Sequence, residues 1–186
     1  MPSVPATSRT SFLREPSLYS IKSILILDSD GKRIVAKYYD SSFPSIKEQL
    51  DFEAKLFKKT NKSVAEITLL DGTTCVYRNV GDVNMYVIGD VAENELILVS
   101  ALNCLYESIS QMLKRCVERK TILDNLDLIF LVVDELCDSG ILMECDSSNL
   151  VSRMGTRTED IPIGEQTVAH ALQMAKEQIK LSLMKQ

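Results

Sequence analysis

The longest helical pattern in the chain carries apolar residues on more than one face. It begins near Glu93, in the segment "ENELILVSALNCLYESISQMLKRCVE". A surface helix of a globular protein has a single apolar stripe, so this segment must be covered on at least two sides. One row at helical spacing contains Leu98, Leu102, Leu105, Ile109, Met112 and Cys116. The second row contains Val99, Tyr106, Leu113 and Val117.

Near the start of the chain, two strand patterns flank the tight acidic turn "DSDG". An Asp-Gly pair between apolar runs predicts a hairpin, because Gly31 can adopt the positive φ that such turns require. A calcium loop that starts at Asp28 would need glycine at its sixth position and glutamate at its twelfth. This chain has Arg33 and Tyr39 there. We therefore interpret the turn as the bend of a hairpin, with strands at about 20–28 and 32–40.

A helix is predicted after the hairpin. Ser45 is its cap, and Glu48 can bond back to the Ser45 amide in a capping box. The helix should run to about Lys59, since apolar residues recur at helical spacing; these are Ile46, Leu50, Ala54 and Phe57. Three short strands follow, separated by Asp-Gly and Gly-Asp turn signals, at Glu66–Leu70, Thr74–Arg78 and Val83–Gly89.

A second long helix, at about 122–137, would cover one side of the first. Its segment "LIFLVVD" is short and β-branched, so a strand is the alternative. We favour a helix because Thr121 and Asp124 offer a cap and Gly140 offers an end. A short helix is predicted at Ser148–Met154.

The last pattern is an amphipathic helix near the C-terminus. Its apolar face contains Val168, Ala171, Leu172, Ala175, Ile179 and Leu183. The order of strands, helix, strands and long helices predicts an α+β domain, in which an antiparallel sheet lies between helices. We expect residues 1–16 to form a disordered tail, 17–155 to form the domain, and 156–186 to form a linker and the C-terminal helix.

Composition excludes several classes of protein. The chain of 186 residues has a formal net charge of −5, and the basic cluster around Lys114 and Arg119 is interleaved with Glu118, so no nucleic-acid partner is expected. Its apolar runs fall short of the roughly 20 residues that a membrane helix needs. The five cysteines form no CxxC pair and are odd in number, which predicts reduced thiols in the cytosol.

No motif for catalysis, metal binding or cofactor binding is found. A Walker loop and a dinucleotide fingerprint are missing. His170, the only histidine, has no cysteine or carboxylate nearby at metal-ligand spacing. Cys104 lies among leucines, where a thiol is inert. Asp134 and Glu135 are adjacent, so on a helix they point about 100° apart and make a poor acid–base pair.

Four long segments resemble one family. They are "EPSLYSIKSILILDSDGKRIVAKYYD", "ENELILVSALNCLYESISQMLKR", "LDNLDLIFLVVDELCDSG" and "EQTVAHALQMAKEQIKLSL". From about Glu15 to the end, the chain resembles the zeta subunits of the COPI coatomer. The opening hairpin and Val133-Asp134-Glu135 are shared with the sigma subunits of clathrin adaptors. The resemblance implies a longin-like fold, with a five-stranded antiparallel sheet, one helix on one face and two on the other.

The resemblance also implies a non-catalytic subunit that pairs with the helical trunk of the gamma subunit, in a coat with other coatomer subunits. An Arf-family GTPase recruits that coat to Golgi membranes, so the chain would be cytoplasmic and only peripherally bound to membrane. It would act in transport from the Golgi to the endoplasmic reticulum and within the Golgi. Two alternatives are a sigma-type adaptor subunit, which takes part in binding dileucine signals, and a stand-alone longin module that regulates SNAREs or GTPases. The row expected to face the partner contains Val99, Tyr106, Leu113 and Val117.

The missing ligand motifs lead to a direct test. Addition of calcium, zinc or GTP should leave the melting temperature of the full chain unchanged, because a ligand that binds the native state must stabilise it. Thermal denaturation with and without each ligand measures the effect. A reproducible rise of several degrees would reveal a site that the sequence does not show.

Overall fold

The computed structural model describes residues 18–61 and 66–159. Five strands form the main sheet: β1 (Ile21–Asp28), β2 (Arg33–Tyr38), β3 (Ile67–Leu70), β4 (Thr73–Val80) and β5 (Val83–Asp90). The helices are α1 (Ile46–Thr60), α2 (Glu95–Met112), α3 (Arg119–Asp124), α4 (Leu126–Leu136) and α5 (Ser147–Glu159), and a small ribbon contains β6 (Cys137–Asp138) and β7 (Ile141–Leu142). The main sheet is antiparallel throughout, in the order β2-β1-β5-β4-β3.

Helices cover both faces of this sheet. On one face, α1 packs through Leu56 against a cluster that includes Tyr86 and Ile88 of β5. On the other face, α2 packs against β4 and β5, and α4 packs against α2. Gly89 of β5 lies so close to α2 that an added Cβ would be 2.8 Å from the Leu98 side chain. The predicted α+β, longin-like sheet with helices on both faces is therefore confirmed.

The opening hairpin is also confirmed, and Asp28 builds its turn. One carboxylate oxygen of Asp28 accepts the backbone N–H of Asp30 at 2.9 Å and that of Lys32 at 2.8 Å. Gly31 has a φ of +77°, and a Cβ added there would lie 2.5 Å from the Phe57 ring. Glycine is thus required here for two reasons: the backbone φ is positive, and the Phe57 side chain of α1 leaves no room for a Cβ.

Helix α1 begins where the sequence predicts it, but its buried face is not the row that indicated it. Ser45 Oγ accepts the Glu48 N–H at 3.2 Å, which is the first half of the capping box. In that row, however, Ile46 is 69% exposed and Leu50 is 48% exposed. The buried residues of α1 are Phe52, Glu53, Leu56 and Thr60.

A buried carboxylate sets this orientation of α1. Glu53 is only 2% exposed. Its two oxygens accept from Arg33 of β2, with Nε at 3.0 Å and Nη2 at 2.6 Å, and Tyr38 Oη donates to it at 2.8 Å. Burial, and then the negative charge of Glu53, raise the pKa of Tyr38 far above its ordinary value, so the phenol stays protonated and donates. Two-point binding by Arg33 fixes the direction as well as the position of the helix.

The helix predicted at about 122–137 is helical, and the strand alternative is wrong, but the helix is broken at Asn125. Asn125 separates α3 from α4 with a φ of −132°, and its side-chain amide donates to the Thr121 carbonyl at 2.8 Å. Such a local bond competes with the helix. Thr121 and Asp124 do not cap α4, which has no side-chain cap. Gly140 does not end α4 but turns the chain between β6 and β7, with a φ of +88°.

The C-terminal part of the chain is described only to the end of α5. That helix contains the predicted Ser148–Met154 helix and continues into the segment that the sequence assigns to a linker. The chain divides into two compact units between residues 151 and 152. The predicted limits 1–16, 17–155 and 156–186 stay a prediction. Outside the described residues lie the expected tail, His170 and the amphipathic face from Val168 to Leu183.

Removal of the cation beside Glu53 tests the role of the buried pair. Arg33→Ala should lower the free energy of unfolding by about 3 kcal/mol, because it leaves a buried carboxylate without its cation. Lys55→Ala is the matched control: its pair with Asp71, at 3.3 Å, is exposed on both sides, and its loss should cost less than about 1 kcal/mol. Urea denaturation of both variants measures the difference. Similar losses in the two would contradict the role assigned to Glu53.

Candidate partner-binding surface

The structure separates the four residues of the row expected to face a partner. Helix α2 ends at Met112, so Val99 and Tyr106 lie on it, and both are half-buried. Leu113 and Val117 lie beyond the helix, and each is only 6% exposed. Their placement on the long helix was wrong, because the chain turns before it reaches Val117. The binding of a partner by this row stays a prediction.

A tight turn without glycine ends α2. Lys114 and Arg115 have φ values of 52° and 67°, and the Arg115 N–H donates to the Ser110 carbonyl at 2.6 Å. Helices usually take this left-handed conformation at glycine, so the sequence gives no stop signal here. Cys116, which the sequence places on the core row, is consequently exposed.

The segment after this turn is held by two turns of the sheet. The Arg119 N–H donates to Asp82 of the β4–β5 turn at 2.9 Å. Its side-chain Nε lies 3.3 Å from the Asp28 carboxylate in the β1–β2 turn. A Cβ added to Gly81 would lie 4.0 Å from the Val117 carbonyl oxygen. Val117 therefore belongs to the internal packing of the domain, where α3 meets the ends of the two hairpins.

Tyr106 lies beside a cation that the sequence analysis missed. The guanidinium carbon of Arg78 is 4.5 Å from the centre of the Tyr106 ring, within the range of a cation–π contact. Arg78 follows Thr74 and Val76 on alternate positions of β4, so all three side chains point toward the α2 face of the sheet. The sequence signal for this contact is the alternation of side chains along β4, which the sequence analysis did not relate to Tyr106 of α2.

Two apolar residues of the edge strand β3 extend the same surface. Ile67 pairs with Val76, and Leu69 pairs with Thr74, so both side chains point toward the α2 face. Ile67 is 43% exposed and Leu69 is 57% exposed. The α2–β3 shelf, as we call this surface, consists of Val99, Tyr106, Arg78, Ile67 and Leu69.

Three of the five cysteines, all of which lie in the described residues, are buried. Burial raises the pKa of the Cys75 and Cys104 thiols to about 11, and burial also raises that of Cys137. These thiols are protonated at neutral pH, whereas the thiolate is the nucleophile. In the described ranges, no group of three or more His, Cys, Asp or Glu side chains is placed to hold a metal ion. None of the helices in those ranges is long and apolar enough to cross a membrane.

Comparison with known proteins gives consistent matches over this domain. The family profile of the clathrin adaptor complex small chain matches residues 20–160. Coatomer subunit zeta-1 of Homo sapiens is 51% identical over 175 residues, which cover 94% of this chain and 99% of that protein. Coatomer subunit zeta-2 of Mus musculus is 48% identical, and the match covers 96% of this chain and 87% of that protein. Coatomer subunit zeta-1 of Arabidopsis thaliana is 42% identical, and the match covers 89% of this chain and 97% of that protein.

One structural neighbour shows the same fold at low identity. It is a chain of a structure described as a homology model of the full-length AP-3 complex in a stretched open conformation. The two chains superpose with a TM-score of 0.57 and are 16% identical, and the match covers 75% of this chain and 94% of the other. This likeness supports the arrangement of sheet and helices.

The burial of Leu113 predicts a loss of stability in the free chain. Leu113→Ala should lower the free energy of unfolding by about 2–5 kcal/mol, since a buried leucine leaves a cavity when it is truncated. Val99→Ala, at a half-buried position of the shelf, should cost less than about 1 kcal/mol. Chemical denaturation of the two full-length variants provides the measurement. If Leu113→Ala is as stable as Val99→Ala, then the internal role of Leu113 is wrong.

Proposed function

Because the chain belongs to the clathrin adaptor small-chain family, in its coatomer zeta branch, we propose that it is the small subunit of a COPI-type vesicle coat. The observation that carries this proposal is the length of the similarity. Identity of 51% extends over 94% of this chain and 99% of the human zeta-1 subunit. It therefore includes the sheet, the helices on both faces and the shelf, which are the surfaces through which a coat subunit must act.

The proposed role is assembly and involves no catalysis. The chain pairs with the helical trunk of the coatomer gamma subunit and enters the coat together with the other coatomer subunits. An Arf-family GTPase brings the assembled coat to Golgi membranes, so the chain is cytoplasmic and reaches the membrane only peripherally. The coat serves transport from the Golgi to the endoplasmic reticulum and within the Golgi. The buried, protonated thiols and the exposed apolar side chains support an assembly role.

We propose the α2–β3 shelf as part of the surface that contacts the gamma trunk. Tyr106 and Arg78 are the type of residue that contributes most to protein interfaces, an aromatic ring and an arginine in direct contact. Ile67 and Leu69 add exposed apolar surface on the edge strand. Leu113 and Val117, the other two residues of the predicted partner row, are buried within the domain.

Capture of a large partner chain tests the proposed function. Tagged full-length chain is mixed with the purified helical trunk of coatomer gamma and, separately, with the trunk of a clathrin-adaptor large chain that pairs with sigma subunits. Capture of the gamma trunk with a clear preference supports the proposal. Preference for the clathrin-adaptor trunk would instead indicate a sigma-type subunit. A chain that stays monomeric with both would favour an independent longin module.

Two neighbouring residues on α2 separate interface from core. Tyr106→Ala should weaken capture of the gamma trunk by about 2 kcal/mol and leave the melting temperature of the free chain nearly unchanged. Leu105→Ala should lower the stability of the free chain by about 2–5 kcal/mol, because Leu105 is fully buried. Both variants are measured by melting and by a binding titration. If Tyr106→Ala lowers the melting temperature as much as Leu105→Ala does, the Tyr106 ring belongs to the internal packing and the shelf assignment is wrong.

A further inference from the structure

We infer that Asp71 is a site of spontaneous isoaspartate formation, and that this modification removes the β3 part of the α2–β3 shelf. The consequence for partner binding rests on the proposed function, whereas the modification itself does not. The chain contains two Asp-Gly pairs, Asp30-Gly31 and Asp71-Gly72. Each pair lies in a turn between two strands, and both aspartates are exposed. The surroundings of the two glycines distinguish the pairs.

The reaction joins the side chain of an aspartate to the backbone nitrogen of the next residue. That nitrogen loses its proton and attacks the carboxyl carbon Cγ, the bond from Cγ to its hydroxyl oxygen breaks, and the hydroxyl and the proton leave as water. The product is a succinimide ring. Water then adds back to the ring. Cleavage of the bond from nitrogen to Cγ restores aspartate, and cleavage of the bond to the main-chain carbonyl carbon gives isoaspartate.

The nitrogen of Gly72 is open to this attack. Asp71 and Gly72 are the two central residues of the β3–β4 turn, with φ values of 47° and 77°, as in a type I′ turn. Among the described residues, no backbone carbonyl accepts the Gly72 N–H. A Cβ added to Gly72 would have no heavy atom within 4 Å, so the peptide has room to rotate. The Asp71 carboxylate is paired with Lys55 at 3.3 Å, but an exposed pair restrains a side chain only weakly.

The nitrogen of Gly31 is protected. Its N–H donates to the Asp28 carbonyl at 3.0 Å, and the neighbouring Asp30 N–H donates to the Asp28 carboxylate at 2.9 Å. The Phe57 ring of α1 lies over Gly31, since an added Cβ would be 2.5 Å from it. Attack on the Asp30 carboxyl would therefore break hydrogen bonds of the turn and displace a packed ring. The β3–β4 turn has no such barrier.

Isoaspartate changes the length of the β3–β4 turn. The main chain then passes through Cβ and Cγ of residue 71, which adds one methylene to a two-residue loop. Turn type and loop length fix the register of a hairpin, here with Leu70 opposite Thr73. Strand β3 has four residues and pairs only with β4 in the described sheet. We therefore expect Ile67 and Leu69 to leave the shelf, while the strands on the other side of β4 keep their pairing.

The experiment ages the full-length chain for weeks at neutral pH and body temperature. Isoaspartate is then located by proteolysis and mass spectrometry and is counted with an isoaspartyl carboxyl methyltransferase. Residue 71 should contain about fivefold more isoaspartate than residue 30, or a larger excess, because attack at Gly31 first breaks hydrogen bonds. Asp71→Glu keeps the charge beside Lys55 but lengthens the side chain, which disfavours ring closure, so this variant should form little isoaspartate. Asp30→Glu is the matched control and should age as the unmodified chain does.

Fresh and aged samples are also titrated with the gamma trunk. The aged unmodified chain should lose binding sites in proportion to its isoaspartate at residue 71, and aged Asp71→Glu should bind as the fresh protein does. Equal isoaspartate at residues 30 and 71, or none at residue 71, would overturn the inference. Undiminished binding by the modified chain would disprove its effect on the shelf. If the fresh chain does not bind the trunk, the proposed function fails, and the mapping of isoaspartate still decides the modification.

Discussion

One buried carboxylate determines how helix α1 packs against the sheet. Glu53 accepts three hydrogen bonds from Arg33 and Tyr38 of the edge strand β2, and this geometry fixes the rotation of α1 about its axis. With Glu53 turned inward, Phe52 and Leu56 fill the core, and Ile46 and Leu50 are left exposed. The ion pair therefore decides which apolar residues of α1 pack in the core and which stay exposed.

The α2–β3 shelf extends to the edge strand β3. The shelf includes Ile67 and Leu69 of β3, whose side chains are exposed. Since β3 pairs only with β4 in the described sheet, it is an edge strand, and Lys59 donates to the carbonyl oxygen of its Leu69. Natural proteins rarely leave such an edge uncovered. A large subunit bound at the shelf would lie along this edge and protect it.

Periodicity predicted the elements of this fold well, and it failed where a single local contact decides. The hairpin at Gly31 and the cap at Ser45 follow from short signals that act within a few residues. The orientation of α1 could not be predicted, because an inward-facing glutamate counts as polar in any apolar pattern. The end of α2 could not be predicted either, since Lys114 adopts a left-handed conformation that usually signals glycine. For that reason Leu113 and Val117 do not lie on the helix where the sequence placed them, and the contact of Arg78 with Tyr106 arises only from the tertiary structure.

The strand order has a consequence for synthesis of the protein. Strand β1 precedes the other described elements in the chain, and it lies between β2 and β5. Strand β2 follows at once, but β5 is made only after α1, β3 and β4. Until then one long side of a strand with four consecutive fully buried residues, Ile24 to Leu27, has no neighbour. Non-local pairing of this kind slows folding, and it leaves an unpaired strand edge exposed while the chain is being synthesised. Between the synthesis of the first hairpin and that of the fifth strand, the free side of β1 is therefore open to pairing with a wrong strand.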